Sequence, residues 1–113
     1  MRRSIIIASL ALLISLPALA GDGNPGDGQK KSQPCQACHG VDGNGIGDPQ
    51  YPIIAGQYED YLLHALRSYK TGKRENLIMS GFVATLSDQD MADLAAYFAA
   101  QKGTIQDLHH LED

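Results

Sequence analysis

The sequence has little cysteine, few basic residues and no long apolar run. Two cysteines occur in 113 residues, at positions 35 and 38. No second Cys-x-x-Cys pair completes a zinc site. The paired histidines, His109 and His110, are adjacent rather than spaced as ligands. A Gly-x-Gly-x-x-Gly phosphate cradle after a strand is absent, although Gly40, Gly43, Gly45 and Gly47 crowd one stretch. A calcium loop counted from Asp42 fails at its twelfth position, which is Ile53 rather than Glu. The bland reading of residues 40–49 is a tight loop against one edge of a bound group.

The one apolar run, Ile5 to Leu16, is twelve residues long, too short for a comfortable membrane span. Arg2 and Arg3 precede it and Ala18-Leu19-Ala20 follows as a small-x-small site. This pattern predicts an export leader over residues 1–20, cleaved before Gly21. The expected address is the periplasm. No later stretch is apolar enough to span a bilayer, so a soluble mature protein is expected. Without Arg2 and Arg3, seven basic residues face thirteen acidic ones, a formal charge of −6. Nucleic acid is a poor partner for such a surface. The remaining length suits one small domain with little core of its own.

Cys35-Gln36-Ala37-Cys38-His39-Gly40 is where the two scarce thiols fall. Cys-x-x-Cys-His is the attachment signature of a c-type haem. Two thiols three residues apart lie on one side of a helical turn and reach the two vinyl groups of one porphyrin. The next residue, His39, supplies an axial nitrogen to the iron. A thioredoxin-like redox pair would need a βαβ setting, which the chain lacks. A disulfide is the remaining competitor in an exported protein. Haem attachment agrees best with the leader and with the features downstream of the motif.

Residues 21–25 read as a flexible start. Asp27 to Gln33 reads as a short helix without an apolar side chain, ended by Pro34, so its packing must come through backbone at Gly28. Pro52 is placed to offer its carbonyl to the second ring N–H of His39. Gln57 to Thr71 reads as a helix, with Tyr58, Leu62, Ala65, Leu66 and Tyr69 on one face and Asp60, His64 and Arg67 on the other. Gly72 is its stop signal. Lys73 to Leu86 reads as a long loop in need of an anchor. Ser87 caps a last helix with a buried stripe of Met91, Leu94, Ala95 and Phe98, flanked by Tyr97 and closed at Gly103. Residues 104–113 form a tail in which Ile105, Leu108 and Leu111 suit an amphipathic turn or two.

The second iron ligand decides the function. Met79, Met91, His64, His109 and His110 are the candidates. Met91 belongs to a core stripe, His64 to a solvated helix face, and His109 and His110 to the tail. Met79 lies forty residues after His39, far enough to reach the opposite haem face, and is the expected ligand. A thioether ligand favours ferrous iron and raises the potential.

These features resemble class I cytochromes c of the short bacterial periplasmic monohaem type, and one half of the dihaem cytochromes c. The matching stretches are Cys35 to Gly40, Pro52 to Gln57, Tyr61-Leu62, Tyr69 to Arg74, Met79, Leu86 to Asp90, and Leu94 to Phe98. They span roughly residues 26–103. The resemblance implies an all-α fold of three to four helices around one covalent haem, with the first and last helices crossing beside it. It also implies Cys35 and Cys38 as thioether sites, His39 and Met79 as axial ligands, and Pro52 as the carbonyl partner of His39. The first helix departs from the family pattern in lacking an apolar contact for Leu94 and Tyr97. The tail is not part of that pattern.

The expected function is one-electron transfer between respiratory or dehydrogenase partners, without bond-making chemistry. Arg67, Lys70, Lys73 and Arg74 form a basic cluster suited to an acidic partner surface. The alternatives are a haem subunit of a larger dehydrogenase complex, such as a flavoprotein, and a haem enzyme or gas sensor with a labile sixth ligand.

Overall fold

The computed structural model describes residues 22–105, which hold five helices and no strand. They are α1 (Pro25–Lys31), α2 (Gln33–His39), α3 (Glu59–Thr71), α4 (Leu77–Val83) and α5 (Asp88–Ala99). The all-α expectation holds, but five helices replace the expected three to four.

α5 is the spine. Its first turn is closed by a capping box: Asp90 N–H donates to Ser87 Oγ at 3.0 Å and Ser87 N–H donates to the Asp90 carboxylate at 2.9 Å. Every residue from Met91 to Phe98 is buried. The expected stripe of Met91, Leu94, Ala95 and Phe98 therefore describes only part of the buried surface. α3 covers one side through Leu62 and α1 covers another. The helix ends at Ala99, with Ala100 as cap, rather than at Gly103. Gly103 instead lies against Ala55 and Asn44, and Asn44 Nδ2 donates to the Lys102 carbonyl at 2.8 Å.

α1 solves its lack of apolar side chains by proximity and charge. A Cβ on Gly28 would stand 2.0 Å from the Asp93 carbonyl oxygen and 2.7 Å from Tyr97 Cβ, so only glycine allows this approach. The Asn24 side chain caps α1 by accepting from Asp27 N–H at 3.0 Å, and Pro25 occupies its first turn. The buried Asp93 carboxylate accepts from Asn24 N–H at 2.9 Å, Gln89 Nε2 at 2.8 Å and Lys31 Nζ at 2.6 Å. Lys31 also pairs with Asp90 at 2.8 Å. These contacts hold the asparagine cap and the last turn of α1 onto α5.

The helix expected over Asp27 to Gln33 runs instead from Pro25 to Lys31, and Pro34 does not end it. Pro34 sits in the first turn of α2, where a missing amide hydrogen costs nothing. It cannot continue the α1 ladder, so the chain breaks at Ser32. Ser32 is fully buried; its hydroxyl donates to the Gln29 carbonyl at 2.7 Å and accepts from Gln36 Nε2 at 2.8 Å.

The loop expected over Lys73 to Leu86 is corrected by α4. Asn76 caps it, its side chain accepting from Met79 N–H at 3.0 Å. Val83 is buried in its last turn. α3 starts at Glu59, two residues later than expected, and stops at Gly72, whose φ of 77° is the left-handed cap the sequence calls for.

Candidate functional site

A cavity of about 490 Å³ opens between α2, α3, α4, α5 and the segment from Gln50 to Gln57. That volume lies in the range of small-molecule and cofactor sites. Each element reaches it by local rules. On α2, Cys35 and Cys38 are one turn apart, both line the cavity, and both are half-buried free thiols. Burial pushes the Cys35 thiol above its ordinary value, because an apolar wall disfavours the thiolate.

His39 closes α2 and is buried. Gly40 follows with φ 86°, and a Cβ there would meet the Gly45 carbonyl oxygen at 2.6 Å. This turn sends the chain sharply away from the helix end. Residues 40–49 are not in the cavity wall, contrary to the loop-against-an-edge expectation. They brace it from behind. Gly45 N–H donates to the His39 carbonyl at 2.7 Å, and the Gly43 carbonyl accepts from Ile54 and Ala55 N–H at 2.8 and 3.0 Å.

That brace places Pro52. Its carbonyl lies 2.8 Å from His39 Nδ1. A carbonyl only accepts, so Nδ1 carries the hydrogen and Nε2 keeps the lone pair, on a ring that lines the cavity. The tautomer is the one a metal-ligating imidazole needs.

α3 lends Leu62, Ala65, Leu66 and Tyr69 to the wall, together with Tyr61. Tyr58, expected on this face, is exposed instead. α4 lends Ile78, Met79, Phe82 and Val83. Met79 thus reaches the same cavity as His39, carried on a capped helix rather than a loop. Met91 is buried and does not line the cavity, and His64 is exposed. His109 and His110, with Leu108 and Leu111, lie outside the described residues.

The donor set suits one covalent haem c. Two thiols lie on one turn, an imidazole has its tautomer fixed, a thioether enters from another helix, and mostly apolar and aromatic side chains line the remainder of the wall. Two charged residues also reach the wall, Lys31 and Arg74. Lys31 belongs to no motif and Arg74 was expected in a docking cluster; only the fold brings them to the wall.

The four cations of the expected basic cluster separate in the structure. Arg67 is neutralised by a two-pronged pair with Asp88, at 2.7 and 2.6 Å. Each partner shifts the other: the Arg67 pair holds the Asp88 carboxyl below its usual range. Lys70 Nζ donates to the Leu86 carbonyl and keeps its charge. Arg74 lies over the Tyr69 ring, 4.9 Å from its centroid. Among the described residues, neither Lys73 nor Arg74 has a carboxylate partner.

Residues 26–102 match the family model described as cytochrome c. A cytochrome c4 of Pseudomonas aeruginosa is 48% identical over 101 residues, covering 88% of this chain and 50% of that protein. Cytochrome c-554(548) of Halomonas halodenitrificans is 39% identical over 83 residues, 71% of this chain and 99% of its own length. The solved structure of reduced recombinant cytochrome c4 from Pseudomonas stutzeri superposes with a TM-score of 0.69 at 46% identity, over 74% of this chain and 48% of that one. The chain therefore spans about half the length of the cytochromes c4 it matches.

Proposed function

The chain belongs to the cytochrome c family, and from that premise we propose that it is a soluble periplasmic one-electron carrier. The observation that carries this is the convergence of Cys35, Cys38, His39 and Met79 on one cavity, with His39 Nδ1 held by the Pro52 carbonyl. Bound there, haem c supplies one iron that alternates between ferric and ferrous.

The residues divide the work. Cys35 and Cys38 tether the group through thioethers. His39 Nε2 and the Met79 sulfur would hold its iron. Pro52 fixes the imidazole ring and its tautomer. Both ligands ride on helices whose ends the chain satisfies itself, Asn76 for α4 and Gly40 for α2, so neither has to move when the charge changes. Apolar walls from α3, α4 and α5 exclude water and favour the less charged ferrous state. No residue is assigned to bond-making chemistry.

The periplasmic address rests on the leader pattern over residues 1–20, with the domain at 26–103. Among the described residues no helix is long and apolar enough to cross a membrane. Docking to redox partners is assigned to Lys70 and Lys73, the members of the basic cluster that retain charge outside the cavity wall. Reversing both charges is expected to slow partner reduction several-fold at low salt and to flatten its salt dependence. Unchanged rates at every ionic strength would remove them from the interface.

Optical spectra of the purified protein test the main reading. A sulfur-to-iron charge-transfer band in the ferric form, lost in Met79→Ala, is expected, with no response of the reduced form to carbon monoxide. A high-spin spectrum or rapid carbon monoxide binding would point to an open site and to an enzyme or sensor.

A further inference from the structure

A second depression, of about 420 Å³, adjoins the cavity along α3 and is lined by Tyr61, His64, Ala65, Ser68, Lys73 and Arg74. The first four come from α3 at spacings of three and four, so they stand in one stripe along the helix. The other two are brought back by the Gly72 turn: Arg74 N–H donates to the Ser68 carbonyl at 3.1 Å, which lays residues 73–74 beside the last turns of α3. Every polar side chain in this wall can donate a hydrogen bond, and none is a carboxylate, in a chain whose acids outnumber its bases. Arg74 is turned onto the Tyr69 ring of the neighbouring cavity. Lys73 has no carboxylate partner among the described residues. Ser68 is only 8% exposed, and its hydroxyl stands 3.5 Å from His64 Nε2. That is the outer limit of a hydrogen bond, so both groups remain available to a stronger acceptor.

We propose that this depression binds a small tetrahedral oxyanion of the sulfate or phosphate kind, held by Lys73, His64 and Ser68, and that its occupancy is linked to the oxidation state of the iron. The binding rests on this wall alone; the linkage rests on the adjoining cavity being the haem seat. Tyr61, Ala65 and Arg74 line both spaces, so one layer of side chains separates them. Oxidation adds one positive charge beyond that layer, and an anion is attracted to it through a wall of low dielectric. The ferric form therefore binds the anion more tightly, and by reciprocity the anion favours the ferric form.

The test uses the haem-loaded full chain without a redox partner, because Lys73 is also assigned to docking. Sulfate is exchanged for chloride at constant ionic strength, and binding is followed by the backbone amide shifts of residues 61–74 in the ferric and the ferrous form. A saturable response is expected, several-fold tighter in the ferric form, with a midpoint potential that falls as sulfate rises. Lys73→Gln and His64→Gln, both at exposed positions, are each expected to weaken binding several-fold. Lys102→Gln removes one cation outside the depression and is expected to leave binding unchanged. Equal losses in Lys73→Gln and Lys102→Gln, or no saturable response in the wild type, would reduce the depression to general surface charge and overturn the assignment. Equal affinity in the two oxidation states would overturn the linkage. A chain without covalent haem would show itself in the optical spectrum before any sulfate is added, which separates failure of the electron-carrier reading from failure of this one.

Discussion

The two flanks of α5 are held by different physics. Toward α3 it meets an apolar partner, Leu62, within a cluster that includes Leu94, Ala95 and Phe98. Toward α1 there is no apolar side chain to meet. There, Gly28 brings backbone against the Asp93 carbonyl and Tyr97, and Lys31 and Asn24 converge on the Asp93 carboxylate. The first contact is spread over area and tolerates local change. The second is concentrated in a few atoms and depends on ionisation. A small domain can thus cross two helices without the usual apolar pair, at the expense of sensitivity to one methyl group and to acid.

The largest effect is expected where that concentrated contact is most exact. Gly28→Ala must part the helices, since the added carbon would overlap a backbone oxygen. The expected loss in a denaturation experiment is upwards of ~3 kcal/mol, against less than about 1 kcal/mol gained in helix propensity. A neutral or stabilising result would show that α1 does not pack this closely. Next comes Leu94→Ala on the apolar flank, at about 3 kcal/mol. Its signature is a loss that is the same at pH 7 and pH 3.

Asp93→Asn is expected to cost about 2 kcal/mol at neutral pH, because a buried amide replaces a carboxylate that serves three donors. Here the pH profile decides. Lys31 and backbone N–H donors hold Asp90 down to about 2 and Asp93 below the usual carboxylate range. Both folded values are depressed, so their stabilisation is present above the unfolded value near 3.9 and fades as pH falls toward about 2. Lys31 is raised by the same pairs, so its share is full below its ordinary value and is lost only at strongly alkaline pH. Thermal melts should fall steeply between about pH 4 and 2 in the wild type. The fall should be shallower in Asp93→Asn; equal slopes would exclude the cluster as the acid-sensitive contact. The smallest effect is expected away from both flanks. Asn76→Ala removes the α4 cap for about 1 kcal/mol, and the Met79 charge-transfer band should weaken before the fold does.

Much of the site was legible without coordinates. Cys35, Cys38 and His39 are adjacent in sequence, and helical periodicity alone puts the thiols on one side. Pro52 was legible as a carbonyl because proline has no amide hydrogen to spend. α4 was not read, although Asn76 stands three residues before Met79 and Ile78, Met79, Phe82 and Val83 repeat at four-residue spacing. Seven residues give too short a period to separate from an apolar loop, and isolated turns of that length do not hold. Pro34 was misread because proline is a helix stop in one position and a helix start in the next.

The residues that fit one covalent haem c were thus legible from their order along the chain. Bond lengths and the helical repeat leave the spacing of Cys35, Cys38 and His39 little freedom, whatever else the molecule does. The allocation of charge was not. Four cations within eight positions look alike as letters, yet Arg67 meets an aspartate 21 residues away, Lys70 a carbonyl 16 away, and Arg74 a tyrosine on a cavity wall. Asn24 reaches Asp93 across 69 residues. Such pairs follow from how helices are brought together, because burial and competing partners, rather than local geometry, determine which charge remains free.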